Sequence, residues 1–320
     1  MKEQMLSFAF SKVEIATARA ISYHKYSSIH DLSTIMGKSS SSISQTIKSL
    51  ETKGIIETKR KGMKKLMEIS DRNYALSLQD IFRSEPFVPW EKLISNSNIV
   101  VLFRNLTGEE SFEYGISSIS LWRARRNLSM HGMYFTSPEK QSAGNRNLIR
   151  FIVELSDHVS RKYLSEKLPS DAITIWRSGY RCLFKIRGNS GKVDERLPVE
   201  AFPTALTISP DYGIQFMTSD SYYYYEPNLN KLDIEDVILH TLLIDPESQT
   251  YSIYALLLAF KNERTIDMKL LMERSEKYNL VERTRNFVEY IKSNGKNREW
   301  PLPDKKELQE QADLYGVVIG

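Results

Sequence analysis

The chain has 320 residues, 41% of them apolar and 11% aromatic, a balance that excludes a disordered polymer and provides for two or three domains. Its net charge of +4 is unevenly placed: residues 1–85 hold 14 Lys and Arg against 9 Asp and Glu, and residues 86–320 hold 30 against 31, so the positive excess is confined to the first quarter. One cysteine, Cys182, excludes an internal disulfide and a thiolate-rich zinc site, and no stretch has the apolar length of a membrane span; with no cleavable leader in MKEQMLSFAF, a cytoplasmic protein without membrane attachment is expected.

In chain order, Val13, Ala16 and Ile21 predict a helix from about Ser11 to His24, with Ser11 as its cap. His24 and His30 follow without further ligands nearby and read as structural or exposed histidines. Ile29, Leu32 and Ile35 form a short apolar stripe that stops at Gly37, a residue suited to a left-handed helix end. Ile43, Ile47 and Leu50 then fall at i, i+4 and i+7 and predict a helix over residues 40–53 with that face buried. Its other face carries Ser41, Ser42, Ser44, Gln45, Thr46 and Lys48, and Ser39 and Ser40 lead into it from the turn. These are short polar groups and one cation, able to approach base edges and phosphates. Gly54 ends the helix, and Ile55–Lys59 and Leu66–Ser70 predict a hairpin with a charged tip over Arg60–Lys65. Lys53, Lys59, Arg60, Lys61, Lys64 and Lys65 stand there against the single acid Glu57, a clustering that suits phosphate neutralisation.

The run SSSISQTIKSLETKGIIETKRKGMKKLMEIS resembles the recognition helix and wing of the prokaryotic winged-helix regulators typified by the MarR group, over roughly a fifth of the chain. The resemblance implies that helix 40–53 enters the major groove while the wing, 55–70, meets phosphates or the minor groove. The DNA-binding residues expected are Ser39, Ser40, Ser41, Ser42, Ser44, Gln45 and Lys48 on the helix and Lys59, Arg60, Lys61, Lys64 and Lys65 on the wing. The competing account makes these ordinary core helices with a solvated basic hairpin.

Beyond this module, Arg72–Phe82 predicts a connecting helix, and Pro86 and Pro89 in SEPFVPW mark a boundary. Ser97–Phe103 is expected to be a buried strand from its continuous apolar run. A helix from near Glu113 would turn Ile116, Ile119 and Leu121 or Trp122 inward and hold Arg123, Arg125 and Arg126 near its end. There the helix dipole favours cations, and the same trio could serve as a second phosphate contact. HGMYFTSP reads as a short strand and Asn145–Lys167 as a long amphipathic helix with Leu148, Ile152, Leu155, Val159 and Tyr163 on one side. AITIWRS, RCLFKIRG, VEAFPTALTIS and GIQFMTSDSYYYYEP form a β-rich region; alternation would bury two of Tyr222–Tyr225, with base-stacking platforms as the other reading. From Asp233 to the end the pattern is helical, closing with a weaker helix over Lys305–Tyr315.

The expected fold is α+β: an N-terminal winged helix-turn-helix domain (1–85), a larger mixed α/β domain (86–232) and an all-helical C-terminal section (233–320). LDIEDVILHTLL, together with SFEYGISSISLW and the HGMYFTSP after it, resembles segments of AbiEi-type antitoxin proteins. That likeness implies a repressor of its own operon opposing a nucleotidyltransferase-like partner. Gly188, Ser190 and Gly191 with Asp194 and Glu195 offer a glycine-serine turn, but no Asp-x-Asp strand follows it. Asp236 and His240 share a helical face and read as a dipole-compensating acid and a paired histidine. The function expected is therefore non-enzymatic, needing no cofactor or metal: a sequence-specific double-stranded DNA-binding transcriptional repressor. It is expected to be a homodimer, with a possible protein partner for its C-terminal domain. The antitoxin is the alternative, and a nucleic-acid-processing enzyme stands third.

Overall fold

Ser11 accepts a hydrogen bond from the Glu14 amide while the Glu14 carboxylate reaches back to the Ser11 amide at 2.6 Å, a reciprocal cap that fixes the start of helix α1 (Lys12–Tyr23). The computed structural model describes residues 9–24, 28–62, 64–95, 97–107, 117–133, 146–188 and 196–319. Ser28 and Asp31 form the same kind of cap on α2 (Ile29–Met36), which ends at Gly37 with φ 59°. Ser39 caps α3 (Ser40–Thr52), whose Ile43, Ile47 and Leu50 are all buried as their spacing requires. Strands β1 (Ile56–Lys61) and β2 (Lys64–Ile69) then pair antiparallel. The hairpin turn is tighter than expected: Arg60, Lys61, Lys64 and Lys65 are paired strand residues, Arg60 opposite Lys65 and Lys61 opposite Lys64.

The chain divides into two compact units, residues 1–163 and 164–320. In the first, α4 (Asn73–Ser84), the short α5 (Trp90–Leu93), α6 (Ser97–Thr107), α7 (Ser118–Met130) and most of α8 (Arg146–Lys167) accompany the helix and hairpin module. Arg19 of α1 pairs with Glu91 at 3.1 Å, Ser77 donates to Glu154 at 2.6 Å, and the Tyr74 and His158 rings lie 4.7 Å apart. Residues on either side of the proline pair thus share one unit.

The expected strand over Ser97–Phe103 is helix α6: Ile99, Val100, Val101, Leu102 and Phe103 are all buried, so the continuous apolar run reflects burial around most of a helix. α7 starts at Ser118, behind its Ser117 cap, and Glu113 and Ile116 lie outside the described residues. Its buried positions are Ala124 and Leu128, whereas Ile119, expected inward, is exposed; of Leu121 or Trp122, Leu121 is the half-buried one and Trp122 is exposed. Of HGMYFTSP, His131 and Gly132 form a turn before Met133, and the rest lies outside the described residues. α8 buries Leu148, Ile152, Leu155, Val159 and Tyr163 as one stripe.

The second unit is built on a four-stranded antiparallel sheet in the order β3 (Ile173–Ser178), β4 (Arg181–Arg187), β6 (Asp220–Tyr225), β5 (Ala201–Pro203). VEAFPTALTIS contributes only the three residues of β5, followed by 3-10 turns at Ala205–Thr207 and Ser209–Tyr212. Tyr222, Tyr223, Tyr224 and Tyr225 are all buried, not two of four, because β6 is an interior strand covered on both faces. Tyr222 and Tyr224 join the core formed with helices α9 (Ile234–Ile244), α10 (Gln249–Lys261), α11 (Met268–Ser275), α12 (Val281–Lys292) and α13 (Lys305–Tyr315). Among the described residues no helix is long and apolar enough to cross a membrane.

Candidate nucleic-acid interface

Burial of Ile43, Ile47 and Leu50 turns the opposite face of α3 to solvent, where Ser40, Ser41, Ser44, Gln45 and Lys48 are exposed. Ser39 and Ser42 do structural work first: the Ser39 hydroxyl accepts from the Ser42 amide at 3.3 Å, and Ser42 is half-buried. The Ser40 hydroxyl leans toward Ser33 of α2 at 3.4 Å. Lys38, in the turn before α3, is an exposed cation that the helical periodicity did not single out. Position supplied the signal: the turn of a helix pair abuts the start of its second helix.

On the hairpin, alternation places Ile56, Thr58 and Arg60 on one face, opposite Ile69, Met67 and Lys65. Thr58 hydrogen-bonds Glu51 of α3, so this face is the one turned toward that helix. Arg60 and Lys65 continue it past the buried Met67, exposed and without a carboxylate partner among the described residues. The side chains of Lys61 and Lys64 lie outside the described set.

Two cations of the Lys53–Lys65 cluster are engaged elsewhere. Lys59 contacts both Glu57, at 2.8 Å, and Glu68, and these hydrogen bonds raise its pKa above the ordinary lysine value. Glu57 and Glu68 oppose one another across the hairpin, so Lys59 bridges and relieves a repulsive pair. Lys53 turns inward: its ammonium lies 2.6 Å from Glu14 Oε1, donates to the Ala9 carbonyl at 2.7 Å and sits over the Phe10 ring. Ser49 donates to the same carboxylate oxygen at 2.6 Å. Burial pushes the Glu14 carboxyl up, but the bonds from Lys53, Ser49 and the Ser11 amide outweigh it and hold the group below its ordinary value. Among the described side chains of α3, the turn before it and the hairpin, Lys38, Lys48, Arg60 and Lys65 have no carboxylate partner and are left for an external anion.

The second unit holds a polar cluster that the spacing of Asp236 and His240 only partly foretold. His240 does not bond Asp236 directly. Its Nδ1 lies 2.7 Å from the Thr204 hydroxyl and its Nε2 2.9 Å from the Tyr278 hydroxyl, which is in turn 3.4 Å from Asp236 Oδ1. One proton arrangement gives every group a partner: Thr204 donates to Nδ1, Nε2–H donates to Tyr278, and Tyr278 donates to the carboxylate. Tyr224 stacks on the imidazole at 4.3 Å, and Arg274 joins Asp236 to Asp233. Burial, then the nearby Lys277 charge, drives the His240 pKa well below 6.5, so the ring is neutral. With Thr204, His240 and Tyr278 all buried, this cluster knits β5, α9 and the segment after α11 together and offers no imidazole to an external substrate. Cys182 is buried on β4, and burial raises its thiol to about 11. Gly188 closes β4, while Ser190, Gly191, Asp194 and Glu195 lie outside the described residues. Among those described, no group of His, Cys, Asp or Glu could hold a metal ion. A cleft of about 390 Å³ between α12 and the segment Glu299–Leu302 has Arg283 in its wall, donating to Ser252 at 3.0 Å.

A family model described as "HVO_2833_C, C-terminal" matches residues 201–317, the stretch from β5 through α13. No curated protein and no solved structure matches the chain.

Proposed function

We propose that the chain is a sequence-specific double-stranded DNA-binding transcriptional regulator, acting as a repressor, whose first 85 residues form a winged helix-turn-helix. α3 enters the major groove with Ser41, Ser44, Gln45 and Lys48 foremost, and the hairpin is the wing, with Arg60 and Lys65 on phosphate or in the neighbouring minor groove. Ser39 and Ser42 hold the start of α3 in place, and Lys59 and Lys53 support the hairpin and the core. A homodimer supplies two such modules about one helical turn apart, since one module alone buries little DNA surface.

The observation that carries this reading is the register of the hairpin. Arg60 opposes Lys65, with no carboxylate partner among the described residues, an arrangement that costs stability unless an anion from outside occupies it, and this pair continues the hairpin face turned toward α3. The test is fluorescence anisotropy of the full chain on duplex DNA across a salt series. Changing both Arg60 and Lys65 to Ala should reduce the log–log salt slope by about 1.8, or about 0.9 per lost phosphate contact. An unaltered affinity and slope would remove the wing from the interface. Gln45→Ala should change which sequences are selected from a random duplex pool more than it changes mean affinity.

A further inference from the structure

Arg123, Arg125 and Arg126 occupy the middle of α7, which continues to Met130, so its last turn contains no basic residue. The helix-dipole account of these cations falls with that geometry, because the dipole acts within the last turn. Nothing inside the helix replaces it: SISLWRARRNLSM holds no Asp or Glu, and among the described residues no carboxylate pairs with any of the three. All three are exposed, as are Ile119 (61%), Trp122 (58%) and Met130 (67%).

At 100° per residue the exposed arc runs Arg125, Trp122, Arg126, Ile119, Met130, Arg123, opposite the buried Ala124 and Leu128. Arg126 therefore lies inside the apolar stripe, its guanidinium 5.5 Å from the Trp122 ring centre. A helix lying in a bilayer interface separates its apolar stripe from its cations. This one interleaves them, as surfaces do that pair phosphates with guanidinium groups and rest sugars or bases on an aromatic ring.

We propose that the exposed face of α7 is a second nucleic-acid contact, in which Arg123, Arg125 and Arg126 take backbone phosphates of duplex DNA and Trp122 packs against the sugar-phosphate edge. It rests on the reading of the first unit as a DNA-binding module, and charge complementarity fixes its occupant: three exposed guanidiniums with forked donors, and no carboxylate partner among the described residues, match a polyanion. It makes the DNA footprint larger than α3 and the hairpin alone would give.

The experiment measures duplex binding of the full-length protein from about 50 to 200 mM salt for three forms in parallel: wild type, the triple Arg123/Arg125/Arg126→Ala variant, and Arg60→Ala/Lys65→Ala. The triple-Ala variant should lose up to about 2.7 from the salt slope, while a triple-Lys version, with its charge intact, keeps it. A circular-dichroism melt checks that each variant is folded, and the triple-Lys protein controls for loss of structure. If triple-Ala keeps the wild-type slope while the hairpin variant loses it, the α7 contact is overturned and the DNA-binding reading stands. If the hairpin variant keeps its slope and triple-Ala loses it, the α7 contact stands and the wing does not. Wild type that fails to bind duplex overturns both. Vesicles containing phosphatidylserine, and polyglutamate, form the remaining arms. Arginine-dependent binding to either, with duplex binding unchanged in triple-Ala, overturns the nucleic-acid assignment in favour of a membrane or an acidic protein.

Discussion

Replacing Lys53 by Met tests whether this cation belongs to the core of the first unit. Lys53 and Glu14 have side chains only 11% and 8% exposed, and the ammonium holds both the carboxylate at 2.6 Å and the Ala9 carbonyl. Removing one member of a buried pair costs about 3–5 kcal/mol, because the remaining charge is left without compensation. Glu14 would keep its bonds from Ser49 and the Ser11 amide, which places the cost near the lower bound, about 3 kcal/mol. Hydrogen exchange resolved by peptide reads this within the first unit: amides of α1 and α3 should exchange about a hundredfold faster, since each 1.4 kcal/mol is a factor of ten. The double variant Glu14→Gln/Lys53→Met should recover most of the loss, as buried pairs exchanged for neutral groups of similar volume often do. The acid limb follows from the same contacts. The Glu14 pKa lies below its ordinary 4.5 in the folded chain, so its contribution is complete above that value and disappears as the pH falls through the folded pKa. A loss under about 1 kcal/mol for Lys53→Met, or a double variant no better than the single, would refute the buried-pair account.

Gly54→Ala should destabilise the first unit by more than about 2 kcal/mol. Its φ is 66°, and a Cβ there would collide with the Arg72 guanidinium and the Tyr74 hydroxyl, which itself donates to the Lys53 carbonyl. A thermal melt of this variant within a degree of wild type would contradict that packing. In the second unit, neutral His240 stabilises the fold fully above its unfolded pKa near 6.5, and that contribution decreases as the pH drops toward the lower folded value. Urea midpoints between pH 7 and 5, followed through exchange of α9 amides, should fall more steeply for wild type than for His240→Gln. Equal slopes would mean that His240 takes up its proton as readily in the folded chain as in the unfolded one, which would refute the buried neutral ring.

Local chemistry made the first module legible. Ser11, Ser28 and Ser39 cap the three helices where the apolar spacing begins, and Gly37 and Gly54 end the latter two in left-handed geometry. The same reading failed where burial on several sides erased periodicity. α6 reads as a strand because five consecutive apolar residues are buried, and Tyr222–Tyr225 read as half-exposed because an interior strand cannot be told from an edge strand without knowing its neighbours. The run LDIEDVILHTLL forms a helix as expected, with Ile234 through Leu243 buried throughout. In the candidate interface, composition identified the cations but not their partners. Lys53 and Lys59 are indistinguishable from Arg60 and Lys65 until the fold brings Glu14 and Glu68 to them, over separations of 39 and 9 residues.

The hairpin contains its own control for that distinction. Glu57 faces Glu68 across the strands, and Lys59 bridges both, so this like-charge pair is relieved within the protein. Arg60 faces Lys65 a short step further out, and no carboxylate among the described residues serves them. Opposite charges at facing positions contribute roughly 0.2–1 kcal/mol and like charges oppose folding by a similar amount. Lys65→Glu should therefore stabilise the hairpin, giving slower exchange of the β1 and β2 amides, while weakening duplex binding and reducing its salt slope. A residue kept only for folding cannot give those opposite signs, because its improvement would leave binding unchanged. If Lys65→Glu loosened the hairpin as well, Arg60 and Lys65 would belong with Lys53 and Lys59 among the cations that hold the fold together, and the hairpin would have no register left to explain by DNA.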